Sequence, residues 1–353
     1  MFVTGVGTAV PATRYSQKQC WEAFREAPQF GVLAAPARAL MQRVLLGEQG
    51  VHTRHLALER LWDAFAVDPD VLDRRFAAHA PRLATQAARK ALERAGVLPQ
   101  EVDALLISTC TGFLCPGLTS HVGEQLGVPS GALLLDLVGQ GCGAALPNLR
   151  AAEALLASGR YGQVVSVCVE VCSAALYIDD DPGVLISACL FGDGAAAAVL
   201  SPAPRAGVRR VEWISALSMS DAGERDALCM ERRGGLLRNI LSRRVPQLAA
   251  ERASEVLAEG LKRHGLRRDA IRSWIWHAGG RTVLERLRAQ TGLAECDTRR
   301  SAEVLARFGN LSSPFVLFVL EAALAEREPG GWWWMSAFGA GFSCHGALLR
   351  VSE

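Results

Sequence analysis

Three reactive side chains stand where the backbone around them could bring a substrate close. Cys142 lies in 138-VGQGCGAALPNL-149, directly after an apolar run and at the start of a helical pattern, with Gly139, Gly141 and Gly143 around it. Glycines permit a sharp strand-to-helix turn and close approach of a substrate. Free N–H groups and the dipole at a helix start favour a thiolate, which lowers a thiol pKa from its usual ~8.5. His277 ends the apolar run 273-SWIWH-277 and is followed by Ala278, Gly279 and Gly280; Asn310 sits in 306-ARFGNLSSP-314. Such a trio could be a cysteine hydrolase, with His as base and Asn as its orienter. It could equally be an acyl-transfer condensing site, with His and Asn both donating to an oxyanion. The residue types leave both open.

The competing assignments are plain ones. Most of the ten cysteines lie in apolar runs, as Cys168, Cys172 and Cys189 do, where Cys acts as a small buried hydrophobe. Cys110 and Cys115 bracket a turn. Cys-x-x-Cys occurs nowhere, so no metal site is expected. A histidine at a strand end is more often structural, and Asn commonly caps a helix.

What lifts His277 and Asn310 is an internal repeat in the elements that carry them. Apolar runs of strand length, 104-ALLIST-109, 132-ALLLDLV-138, 163-QVVSVCVEV-171, 195-AAAAVLS-201, 273-SWIWHAG-279, 332-WWWMSAF-338 and 346-GALLRVS-352, alternate with amphipathic segments. This is the pattern of an α/β fold whose central strands are covered on both faces. Helical segments 82–96 and 247–265 each lead through a glycine into an apolar strand, and Gly96 and Gly265 are 169 residues apart. Helical segments 142–159 and 312–328 do the same, and Gly162 and Gly331 are again 169 apart. On that map His277 matches Ser108, and Asn310 matches Gly141 beside Cys142. Two stacked α/β halves are expected, 1–204 carrying the Cys and 205–353 carrying the His and Asn. Segment 64–81 reads as an insertion or extra helices in the first half, and 215–237 as its counterpart in the second.

The chain has 353 residues, 50% hydrophobic and 21% charged, with Lys+Arg 38 against Asp+Glu 36. It is too apolar for a disordered protein, and its scattered charges lack the footprint of a nucleic-acid binder. The first residues carry no cationic leader, and no window reaches the ~18 apolar residues of a membrane span. A cytoplasmic protein is expected. The opening Gly5-Val6-Gly7 lacks the third glycine of a dinucleotide fingerprint.

The stretches 4-TGVGTAVP-11, 109-TCTGFLCPGL-118, 136-DLVGQGCGAALPNL-149, 190-LFGDGAAA-197, 276-WHAGG-280, 309-GNLSS-313 and 338-FGAGF-342 together resemble the thiolase-fold condensing enzymes, and within them the type III polyketide synthases, the chalcone and stilbene synthase family. The resemblance implies a thiolase-like duplicated fold with α-β-α-β-α layers. It implies Cys142 as the nucleophile that takes an acyl group from a starter thioester on CoA or a carrier protein. His277 and Asn310 would then hold the thioester oxygen while malonyl-CoA loses CO₂. Phe191 matches the family's gatekeeper, and Cys110, Thr111, Cys115, Gly339 and Gly341 fall in its substrate pocket. Arg43, Gly279 and Gly280 are the positions for CoA, although acidic Glu48 stands near an expected Lys. Asp193 is expected to hold a turn. Ala340 replaces the family's usual Pro, and Cys115 stands where plant members place a Met that crosses into the second subunit of a homodimer. No cofactor is implied, CoA thioesters being substrates. The 109–118 stretch looks like bacterial members that make alkylresorcinols or alkylpyrones from long fatty acyl starters. Cys110 equally suits a malonyl-primed tetrahydroxynaphthalene synthase. The remaining rivals are a single-step ketoacyl carrier-protein synthase III and a thiolase-fold protein that binds acyl-CoA without turnover.

Overall fold

The computed structural model describes residues 1–47 and 50–353. Nine strands form the central sheet: β1 (Phe2–Ala9), β2 (Ala104–Thr109), β3 (Leu133–Val138), β4 (Val164–Glu170), β5 (Gly194–Ser201), β6 (Arg210–Ser220), β7 (Ile271–Trp276), β8 (Gly331–Gly339) and β9 (Ser343–Ser352). Their order is β7-β8-β9-β6-β1-β5-β4-β2-β3. Outward from β1 the neighbours run β5 antiparallel, β4 antiparallel to β5, then β2 and β3 parallel. Outward from β6 they run β9 antiparallel, β8 antiparallel to β9, then β7 parallel. The order and sense of the first four strands thus occur twice, β3 having no counterpart among the described strands of the second series, and β1 and β6 join the two series through only Phe2↔Glu212 and Val3↔Val211.

Four helices make the layers: α1 (Pro69–Ala95), α2 (Ala145–Ala157), α3 (Val245–Arg263) and α4 (Phe315–Ala325). Helix α1 covers β1, β5 and β4, and α3 covers β9, β6 and β8. Helices α2 and α4 each pack on strands of both series and form the middle layer. That is why α4, 315-FVLFVLEAALA-325, is apolar almost all round, seven of its residues being buried in succession or nearly so. The arrangement is the expected α-β-α-β-α stack. Gly96 and Gly265, one repeat apart, both take positive φ, 52° and 60°, just past the ends of α1 and α3.

Gly5 and Gly7 have a packing cause. A Cβ at Gly5 would lie 2.2 Å from the Ala91 carbonyl oxygen, and one at Gly7 2.5 Å from that of Ala87. The alanine face of α1 therefore rests directly on the backbone of β1.

The structure differs from the sequence reading at four elements. Strands β1 and β6 were not among the expected strands, the first being interrupted by glycines and the second burying only Val211, Trp213 and Leu217 among half-buried and exposed residues. Segment 64–81 is not an insertion: after a 3-10 turn, Leu61–Phe65, most of it is the first half of α1. Asp68 caps that helix by accepting from Asp70 N and Val71 N, Pro69 occupies its first turn, and the helix continues through buried Pro81. Segment 215–237, expected as its counterpart in the second half, does not repeat it. It holds the end of β6, a 3-10 turn, and most of a β-hairpin whose strands are Leu228–Arg233 and Leu236–Leu241.

Candidate active site

Cys142 is held by an elbow between β3 and α2. Gly139 (φ 87°) and Gly141 (φ 57°) take backbone conformations that a side chain resists, and a 3-10 turn, Gly141–Gly143, leads into the helix. The second half presses on this elbow. A Cβ on Gly141 would lie 2.9 Å from Ala340, and one on Gly143 3.0 Å from Gly339 N and from the His345 ring. His345 is buried behind the elbow, with hydrogen bonds between Nδ1 and Ser218 and between Nε2 and Ser343.

His277 follows β7, its backbone N–H donating to the Ser336 carbonyl at 2.9 Å. The ring is buried, edge-on to Phe315 and Phe338 at centroid distances of 5.3 and 5.0 Å. Neither ring nitrogen has a hydrogen-bond partner among the described residues. Asn310 is fixed at both ends of its amide: Nδ2 donates to the Gly279 carbonyl at 3.3 Å, and Oδ1 accepts from Ser312 N at 2.9 Å. Its backbone bridges Phe191, with Asn310 N donating to Leu190 O and Gly192 N donating to Asn310 O. Buried Arg54 clamps the same loop through Nη1 to the carbonyls of Ala188 and Phe191.

Cys142, His277 and Asn310 line one cavity, together with Gly279, Gly280, Arg43, Arg243 and Arg281. A second cavity continues inward past Cys142, lined among others by Cys110, Thr111, Cys172, Ser312 and Ala340. Phe191 and Cys142 belong to the walls of both, so Phe191 stands where the outer passage meets the inner chamber. Cys115 is exposed and lines neither cavity, and Ala340 touches the inner chamber where Gly339 and Gly341 do not. Glu48 lies outside the described residues.

Burial dominates the electrostatics, against the expectation of a helix-start thiolate. It pushes the Cys142 thiol up to about 12, only partly offset by the Ser312 hydroxyl. The α2 helix begins at Ala145, three residues beyond the sulfur, so its dipole acts from a turn away. Burial likewise pulls His277 down to about 3. Both shifts oppose charging either group alone.

Two polar groups here escaped the sequence reading. Ser312, at φ 58°, donates its hydroxyl to Cys142 Sγ at 3.2 Å. Glu170, wholly buried at the end of β4, accepts from Ser313 Oγ (2.5 Å), Thr111 Oγ1 (2.8 Å) and Cys110 N (3.0 Å). Desolvation raises its carboxyl pKa, the hydroxyl and N–H donors pulling the other way. A lone acid inside the apolar run 163-QVVSVCVEV-171 was the available signal. Asp193 holds its turn as expected, accepting from Ala57 N, Ser173 N and Ser173 Oγ. Among the described residues no His, Cys, Asp and Glu cluster has metal-binding geometry, and no helix is long and apolar enough to cross a membrane.

Residues 64–219 match the family model for FAE1/type III polyketide synthase-like proteins, and residues 230–352 match the C-terminal domain of chalcone and stilbene synthases. A 3,5-dihydroxyphenylacetyl-CoA synthase of Streptomyces toyocaensis is 30% identical over 99% of this chain and 89% of its own. A 1,3,6,8-tetrahydroxynaphthalene synthase of Streptomyces peucetius subsp. caesius is 31% identical over 99% of this chain and 92% of its own. Among solved structures, the PKS-I of the brown alga Ectocarpus siliculosus superposes with a TM-score of 0.89 at 26% identity, over 99% of this chain and 97% of that one. The tetrahydroxynaphthalene synthase of Streptomyces coelicolor A3(2) shares the fold, with a TM-score of 0.88 at 24% identity over the whole of both chains. With a duplicated five-layer fold, and family models that cover most of its length, this chain belongs to the type III polyketide synthases of the chalcone and stilbene synthase family.

Proposed function

We propose that Cys142 attacks a starter thioester, passes its thiol proton to His277, and carries the growing chain as a thioester while CoA leaves. Malonyl-CoA then loses CO₂. The enolate oxygen so formed is held by a His277 N–H and the free N–H of Asn310, and its carbon attacks the acyl-Cys142 carbonyl. Repetition and ring closure give a hydroxylated aromatic product. The observation that carries this reading is the meeting of Cys142, His277 and Asn310, from three separate elements, on one cavity, with Phe191 between the outer and inner spaces. Arg43, Gly279 and Gly280 line the outer passage and are assigned to the CoA moiety. The division of the chain at 204/205 belongs to the same reading, with the nucleophile in one half and its two partners in the other.

For the starter, the relatives favour malonyl over a long fatty acyl chain: the two curated relatives are named for hydroxylated aromatics that bear no long alkyl chain. The alkylresorcinol or alkylpyrone assignment rests on the 109–118 stretch alone. A homodimer is supported by the open edge of β3, where Leu134, Leu135 and Val138 are exposed, and by Phe113, 70% exposed, on the loop that carries Cys115. Unpaired strand edges flanked by apolar side chains are suited to pairing with a second copy.

The test is incubation with malonyl-CoA, alone and with a panel of acyl-CoA starters, following CO₂ release, intact mass and products. Acylation at Cys142, lost in Cys142→Ala, and a cyclised product of several extensions are expected. A linear single-extension product would instead identify a ketoacyl synthase III activity. Free acid without malonyl-CoA consumption would identify a hydrolase, and unchanged behaviour of Cys142→Ala a non-catalytic binder.

A further inference from the structure

We propose that Asn239 is a specificity-determining residue that accepts a hydrogen bond from the enol hydroxyl of the growing poly-β-keto chain, at the boundary between the outer passage and the inner chamber. The inference rests on the polyketide reading above and concerns which fold the chain takes before it leaves Cys142.

Strand alternation in the 228–241 hairpin turns Leu237, Asn239 and Leu241 towards the cavities. Arg238, between them, is anchored elsewhere, by Asp181 at 2.7 Å and Glu231 at 3.2 Å. Asn239 lines both cavities, as do Cys142 and Phe191, so a chain tethered to the sulfur and passing the Phe191 constriction runs beside it. The surrounding wall is mostly apolar, with Val184, Ala188, Leu228 and Leu237.

The orientation of the amide follows from a chain of two hydrogen bonds. The hydroxyl of Ser187 has one proton, and it is spent on the Gly183 carbonyl at 2.7 Å. Ser187 Oγ can therefore only accept from Asn239, so the atom 2.8 Å away is the amide nitrogen. The carbonyl oxygen Oδ1 is left over, with no donor among the described residues. Asn239 is half-buried on the wall of both cavities, so this amide oxygen is open to a bound chain and discriminates between ligands by what they can donate.

A poly-β-keto chain presents carbonyl oxygens, which Oδ1 does not bind, and one kind of strong donor, the O–H of an enolised β-dicarbonyl. Holding that enol fixes one tautomer and one bend of the chain at the boundary. Ring closure then starts from that bend rather than from the many that an apolar wall would allow.

The test compares wild type with Asn239→Leu, which keeps the branched shape and removes both polar atoms, and with Asn239→Ala. Acyl loading of Cys142 by intact mass and CO₂ release per enzyme show that a variant still folds and condenses. The reading is the ratio of the main cyclised product to early-released lactones, by chromatography with mass spectrometry. Loss of one neutral hydrogen bond should move that ratio by roughly five- to tenfold in both variants. A ratio within twofold of wild type in Asn239→Leu overturns the assignment; if that variant does not load acyl groups, Asn239→Ala decides by the same threshold. Wild type that releases no CO₂ from malonyl-CoA with any starter defeats the polyketide reading itself, a result distinct from an unchanged ratio in an active variant.

Discussion

Replacing Gly339 by Ala tests whether the second half sets the position of the nucleophile. A Cβ at 339 would lie 2.2 Å from the Gln140 carbonyl oxygen and 2.6 Å from Gly143 N, both of them backbone atoms of the Cys142 elbow. Neither is the end of a side chain that could swing aside. Relief to an ordinary contact of ~3.2 Å requires the elbow or the end of β8 to move by about 1 Å. A misplacement of that size at a reacting group costs about 10²-fold in rate, or roughly 2.7 kcal/mol of barrier. Gly339→Ala should therefore fold, retain a Cys142 that iodoacetamide alkylates, and release CO₂ from malonyl-CoA about a hundredfold more slowly. Gly131→Ala is the control, because a Cβ there meets nothing within 4 Å and its φ is not positive. A Gly339→Ala enzyme working within threefold of wild type would refute the reasoning: the elbow would then be set by its own half of the chain.

Three further outcomes follow from the site. The His277 imidazole titrates at about 3 in the folded chain, below the ~6.5 of the unfolded one, so between those values the unfolded state binds the extra proton and stability is lost as the pH is lowered. By pH 5 this amounts to about 2 kcal/mol relative to neutral pH, and His277→Gln should lose about 3 °C less in unfolding midpoint between pH 7 and pH 5 than wild type does; parallel melting curves would show that the ring is not buried neutral. Ser312→Ala removes the hydroxyl that donates to Cys142 Sγ, so the thiolate is less favoured and alkylation of Cys142 at a fixed pH of about 8.5, resolved by peptide mass spectrometry, should slow about tenfold. An unchanged alkylation rate would exclude that hydrogen bond in solution. Leu135→Lys places a charge on the exposed edge of β3 and should convert a dimer to a monomer in light scattering at micromolar protein, whereas a wild type already at single-chain mass would remove the basis for the proposed interface.

The parts of the site legible in the sequence were those set by local rules. A cysteine among glycines between an apolar run and a helical pattern can hardly be anything but an elbow, and a 169-residue shift places His277 and Asn310 at elements equivalent to those around Cys142. The structure brings these three to one cavity because α2 and α4, matched by the same shift, are both in the middle layer. The unread parts depend on what packs against them. Asp68 and Pro69 spell a helix start, but Pro81 argues against a helix running on to Ala95, and the helix passes through it with Pro81 buried. The charge state of Cys142 was inferred from its helix start, and tertiary burial, which sequence position does not reveal, reversed its direction. Ser312 and Glu170 come together from positions 142 residues apart. The apolar strand around Glu170 made the acid conspicuous without showing which donors it would meet. A local signal therefore locates a reactive atom, while its protonation, and the fold of a chain bound to it, belong to residues such as Ser312 and Asn239 that only the packing of the two halves supplies.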